Sequence, residues 1–347
     1  MIRPTRVRLW DVTLPMRRGL RSATGSIGQR RSVIVAVTGE GHTGWGEAAP
    51  VPGHTLDTAD DAWTLLTVEA ERVLAGGEAV SIEGSTATAA IDSALTDLAA
   101  RAEGSPLAAH LGGQIEPVPA SAAIDLPRSQ TDLLTEVAGA VDAGYPHVKV
   151  KIDPATAPLV AAVRSAHPSL GIAVDANGSF DAATVDRLIA LDHLRLDYVE
   201  QPLHPDDIGT LIELRSAVTT PICLDESIRR LADIAPAAVF ADAVVLKPGR
   251  LGPTLTVQAF GIAARNGLGV KIGGLVETGI GRHLLVALAT HTAVTLPSDL
   301  AAGDRYFATD LVVPPWRLIG GHLTPRSALV VDEEALIRRA TRHHKIG

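Results

Sequence analysis

Five charged residues, each closing one of five consecutive strand-like runs, constrain this chain more than any other feature. The runs read His147-Val148-Lys149-Val150-Lys151, Val174-Asp175-Ala176-Asn177, Val199-Glu200-Gln201-Pro202, Leu224-Asp225-Glu226-Ser227 and Leu246-Lys247-Pro248-Gly249-Arg250. From Lys151 through Asp175, Glu200 and Asp225 to Lys247 the steps are 24, 25, 25 and 22 residues. Each step holds one aliphatic run and one helical stretch, and so forms one βα unit. Strands alternating with helices must pair in parallel, which brings every strand end to one rim. A single acid at such an end is ordinarily a helix cap, and a lone Lys-x-Lys a solvated edge. Capping does not explain five in register.

The alternation extends to eight runs: Val118–Ile124, His147–Ile152, Gly171–Asp175, Asp197–Glu200, Pro221–Asp225, Ala243–Lys247, Gly269–Gly273 and Ala293–Pro297. Eight βα units close into a modified (β/α)8, TIM-type barrel, whose active sites form at the C-terminal rim. An open doubly wound sheet is the rival, but no Gly-rich phosphate fingerprint follows the first run. The texture before Pro117 differs. Val7, Leu9 and Val12, then Val33, Val35 and Val37, read as strands, and Gly39-Glu40-Gly41 predicts a hairpin between Ser32–Thr38 and Gly44–Ala48. Thr58–Leu74 and Ser85–Ala102 carry helical periodicity. The expected organisation is an α/β barrel at 116–315, an α+β capping domain at 1–115 and a segment, 316–347, returning to the cap.

The rim predicts chemistry. Asp175, Glu200 and Asp225 on adjacent strands crowd three negative charges, a costly arrangement unless a cation sits among them. An all-oxygen set favours a hard ion, Mg2+ or alternatively Mn2+. Lys151 and Lys247 lie on either side, so a bound carboxylate would present its α-carbon to two amines. Removing the α-proton builds an enediolate, which a cation stabilises where the charge develops. A lysine acts as base only if its pKa falls toward neutrality, so Lys149 is expected to tune Lys151 and Lys151 to abstract the proton.

Composition narrows the partners. A formal charge of −8, with no basic stripe, argues against nucleic acid as a partner. No run reaches the roughly 18 apolar residues that a membrane helix needs. Cys223 is the only cysteine, which excludes an intrachain disulfide and fits a reducing, cytoplasmic setting. The expected partner is a small-molecule carboxylate substrate.

At these residues the chain resembles the enolase superfamily, in its muconate-lactonizing subgroup with paired lysines. The likeness extends to o-succinylbenzoate synthases and N-acylamino acid racemases through Pro221-Ile222-Cys223-Leu224-Asp225-Glu226-Ser227-Ile228, Lys247-Pro248-Gly249-Arg250, Gly273-Gly274-Leu275-Val276-Glu277-Thr278-Gly279-Ile280-Gly281-Arg282 and Leu296-Pro297-Ser298-Asp299. The resemblance implies that Asp175, Glu200 and Asp225 bind Mg2+, that Asn177, Gln201 and Glu226 support them, and that Lys151 and Lys247 face each other across the substrate. It implies a homo-oligomer, dimer or octamer. It implies either dehydration, as in the synthases, or racemisation, with dipeptide epimerisation or muconate cycloisomerisation as alternatives. A Schiff-base aldolase or a non-catalytic binding barrel are more distant readings.

On the substrate side, a basic loop from Arg17 to Arg31 is expected to close over the barrel mouth, with Arg21 and Lys271 meeting a second anionic group. Lys271 departs from the resemblance, since relatives usually carry an aromatic or apolar residue there. Gly273 and Gly274 are expected to offer backbone N–H groups, and Arg250 and Glu277 are counted with the substrate contacts. The segment Pro50–Thr55 is expected to overhang the site. His42, His54, His110, His283 and His291 are given no role, for want of a metal-type spacing.

Overall fold

The computed structural model describes residues 2–22 and 25–347. The chain opens with three antiparallel strands, β1 (Arg6–Ser22), β2 (Gly25–Gly39) and β3 (His42–Ala48). Glu40 and Gly41 both take positive φ, 50° and 82°, the two-residue turn that matches the twist of paired strands. The predicted hairpin is therefore present, with Gly39 opposite His42. Helices α1 (Ala59–Leu74) and α2 (Thr86–Ala102) pack on this sheet. A capping box between Thr58 and Asp61 starts α1. A Cβ on Gly44 or Gly46 would lie 2.1 or 2.0 Å from the carbonyl oxygen of Ala94 or Ala90. Only glycine lets the α2 backbone rest directly on β3.

The stretch expected as a loop from Arg17 to Arg31 is instead a continuation of β1 and β2, paired Leu20 to Ile27 and Arg21 to Ser26 beyond a register shift after Pro15. Met16 bridges to Phe307, so the arm of this hairpin reaches the barrel side. The side chain of Arg21 lies outside the described residues.

After β4 (Val118–Pro119) come seven parallel strands: β5 (Ser121–Ile124), β6 (His147–Lys151), β7 (Gly171–Asp175), β8 (Val199–Glu200), β9 (Ile222–Leu224), β10 (Ala243–Leu246) and β11 (Gly269–Ile272). Each pairs with its successor in sequence, in the order β11-β10-β9-β8-β7-β6-β5. Two expectations need correction. The first run divides at Ala120, and β4 pairs away from the barrel with β12 (His322–Leu323). The eighth run, Ala293–Pro297, makes a single bridge, Val270 to Val294. Pro297 has no N–H to give a ladder, and Ser298 answers the Ile272 N–H with its side chain instead. This segment still closes the seam, because Asp299 N–H donates to Ile272 O and Ser121 N–H to Leu300 O. The tail returns to the cap as β13 (Ala340–Ile346), antiparallel to β1. Among the described residues no helix is long and apolar enough to cross a membrane.

Candidate active site

Parallel register builds the rim. Lys151 lies opposite Asp175, and Asp175 opposite Glu200. Glu200 in turn pairs with Cys223, so Asp225 follows one inward-facing position later, just past the end of β9. Lys247 follows β10 in the same way. These five residues line one cavity of about 240 Å³, together with Lys149, Asn177, Gly274, Glu277, Asp299 and Tyr306. Val51, Pro52 and His54 reach it from the cap, as the overhanging segment was expected to. A wider basin of about 690 Å³ shares His54, Asn177 and Asp225 with it.

Charge is densely compensated. Lys149 Nζ donates to Glu200 Oε1 at 2.6 Å and Asp299 Oδ2 at 3.0 Å, and lies 3.3 Å from Asp175 Oδ2. Burial alone would lower its pKa, but Asp299, Glu200 and Asp175 outweigh burial and hold it well above the ordinary lysine value. Lys149 is thus a fixed cation two residues from Lys151. Lys247 Nζ donates to Asp225 Oδ2 at 2.6 Å. Burial works to raise the Asp225 pKa, yet Lys247 and then Arg250 bring it down to about 2. Burial and the neighbouring Asp225 push Glu226 up to about 7. Lys151 makes no ion pair or hydrogen bond among the described residues.

Two side chains brace the acids from behind. Asn177 and Gln201 take positive φ, 44° and 35°, a strained conformation for residues with a Cβ. Gln201 Oε1 accepts the backbone N–H groups of Asp225 and Ser227, while its Nε2 donates to Leu203 O and Ser227 Oγ. Asn177 donates from its backbone to Asp175 Oδ1 and from Nδ2 to Glu226 Oε1.

Two acids of the rim keep an oxygen that suits a hard cation, while the expected trio Asp175, Glu200 and Asp225 is not the set that comes together within 4.8 Å. Asp225 Oδ1 and Glu226 Oε2 are buried without a hydrogen-bond partner among the described residues. Such an oxygen keeps a lone pair free for a metal ion. His54, Asp225 and Glu226 place ligand atoms within 4.8 Å of one another, so His54, given no role from its spacing, belongs to the site. The sequence missed it because it comes from the cap, far along the chain from the acids. Asp299 was missed because it lies two residues beyond the eighth run, as that run was bounded at Pro297.

Several expected substrate contacts are not placed for that role. Lys271 is fully buried, is absent from the cavity wall and is ion-paired to Glu200 and Asp299. The Gly273 N–H already donates to Leu246 O, which leaves Gly274 on the wall. Arg250 commits its guanidinium to His54 O and Ile228 O, clamping the cap segment to the barrel. Glu277 lines the cavity, but its Oε2 accepts the Leu275 N–H.

Family models match both halves of the chain. Residues 5–112 fit the mandelate racemase / muconate lactonizing enzyme N-terminal domain, and residues 132–329 the enolase C-terminal domain-like family. An o-succinylbenzoate synthase from Bacillus subtilis (strain 168) is 30% identical over 99% of this chain and 98% of its own. An N-succinylamino acid racemase from Amycolatopsis sp is 32% identical over 91% of each. A crystal structure of an enolase superfamily member from Listeria innocua superposes with a TM-score of 0.91 at 28% identity, covering 100% of this chain and 99% of the other.

Proposed function

Because the chain belongs to the mandelate racemase / muconate lactonizing enzyme family of the enolase superfamily, we propose that it uses Mg2+, held by Asp175, Glu200 and Asp225, to remove the proton next to a substrate carboxylate. The observation that supports this reading is the row Lys151–Asp175–Glu200, continued by Asp225 and Lys247 around one cavity. The enolase superfamily is itself a standard example of a lysine base working with Mg2+ and an ene-diolate, so that mechanism comes with the family. The metal, when bound, stabilises the negative charge that develops on the carboxylate oxygens.

The residues then divide the work. Lys151, which has no acid partner among the described residues, takes the α-proton onto the lone pair of its Nζ, and the C–H electron pair becomes the C=C bond of the enediolate. Lys149 contributes a fixed positive charge beside the acids. From the opposite side Lys247 either gives a proton to the α-carbon, inverting it, or keeps its charge while the enediolate electrons form the Cα=Cβ bond and the β-hydroxyl leaves as water with the proton that Lys151 had taken. The first outcome is racemisation of an N-acylamino acid, the second o-succinylbenzoate synthesis. The same side chains serve both.

Incubating the protein in D2O with N-acylamino acids and with the synthase substrate, each with and without EDTA, tests the proposal. Deuterium should enter the α-position only with metal present. Exchange without loss of water assigns racemisation, and loss of water assigns the synthase. Exchange undiminished by EDTA refutes the metal-assisted reading.

A further inference from the structure

Inside the barrel, residues two places before the rim form a second layer. Ala173, Tyr198, Cys223 and Val245 fill it as a small apolar cluster. Lys149, opposite Ala173, and Lys271, opposite Val245, stand at the same level. Lys271 is 0% exposed. An ammonium so placed is costly unless its charge and donors are matched. Its matches are Glu200 Oε2 and Asp299 Oδ2, the latter at 2.9 Å, with the Tyr198 ring 5.2 Å away. Lys149 takes the other Glu200 oxygen and the same Asp299 oxygen. The four groups close a ring of alternating charge, Lys149–Glu200–Lys271–Asp299, with no net charge of its own. The ring ties β6 and β8 to β11 and the seam segment after it.

We infer that Lys271 is a positioning residue for Glu200 and that, with Asp299, it sets the net charge this wall presents to a divalent cation. The inference rests on the metal-binding role of Glu200 proposed above. Two ammonium groups, one on each oxygen, fix the plane of the carboxylate. They also drain its donor strength, because a cation beside a ligand opposes the binding of a second cation. Lys271 therefore gives orientation at the expense of affinity. A residue serving only to pack the core would not produce effects of opposite sign on the two.

The test is Mn2+ binding to the full chain without substrate, by electron paramagnetic resonance, alongside kcat and KM for α-proton exchange. Lys271→Met should bind Mn2+ at least about 5-fold more tightly, and Asp299→Asn at least about 5-fold more weakly. The double variant, which removes one charge of each sign, should return to within about 2-fold of the unaltered protein. In Lys271→Met and in the double variant kcat should fall at least about 10-fold, with KM changed less than about 3-fold, as when a group supporting a metal ligand is lost. Unchanged or weaker Mn2+ binding in Lys271→Met, or an unchanged kcat, overturns the inference. If Lys271→Met does not fold, the charge-balanced double variant decides through kcat. Failure of both to fold makes Lys271 a packing residue and overturns it as well. Absence of Mn2+ binding by the unaltered protein instead removes the underlying reading of the three acids.

Discussion

Lys151 differs from the three other lysines of the site. Lys149, Lys247 and Lys271 each hold a carboxylate, whereas Lys151 faces the cavity with no such partner among the described residues. Lys151→Ala should slow α-proton exchange at least about 100-fold, while Mn2+ affinity stays within about 2-fold, because no acid loses its counter-charge. Exchange by nuclear magnetic resonance checks the first, and an exchange rate close to that of the unaltered protein would reassign the base. At this scale much was legible, because strand alternation and the spacing of βα units fix where Asp175, Glu200, Asp225 and Lys247 point. Lys271 was visible as an anomaly, but its direction was not. Without knowing that Asp299 and Glu200 meet inside the barrel, a strand lysine looks available to substrate.

Cap and barrel are joined by elements that use each other's unpaired groups. Glu47, on β3, accepts the backbone N–H groups of Thr278 and Gly281 and the Thr278 hydroxyl. It supplies a carboxylate to the start of the barrel helix Gly279–Ala289, where free N–H groups and the helix dipole favour negative charge. Arg30, on β2, donates to Val276 O and Pro50 O beside it. Glu47→Ala should destabilise the protein by about 2 kcal/mol or more and loosen the wall at Gly274–Glu277, raising KM more than it lowers kcat. Thermal unfolding and steady-state kinetics check both, and an unchanged melting temperature would deny the joint its role. Helices α1 and α2 and the β2–β3 hairpin were readable from periodicity and turn residues. The long β1–β2 arm was not, because its arginines and glycines resemble a loop until the barrel surface it reaches is known. The eighth strand failed for a related reason: an apolar run ending in proline has the right residues but lacks the N–H to extend a ladder.

Over the whole molecule, stability should carry the signature of His283 at the junction of cap and barrel. Its ring is buried against Trp316, and Asp97 Oδ1, at 3.9 Å, is too distant for a hydrogen bond. Burial, then Arg101 and Arg326, depress its pKa from 6.5 to about 3. The folded state therefore needs the neutral ring, so the stability linked to it is complete above about pH 6.5 and lost as pH falls toward 3. The loss amounts to at most about 1.4 kcal/mol per pH unit within that window. The melting-temperature gap between the unaltered protein and His283→Gln should narrow as pH falls from 6.5 to 4, and a gap independent of pH would contradict this. The seam between β11 and β5 carries a different consequence. A cylinder closed on one side by a few hydrogen bonds in place of a strand ladder has a preferred place to breathe, and Asp299 sits on that stitch. Each opening would part the two ammonium groups from the acid they share, so the steadiness of the reaction chamber is limited by its loosest wall.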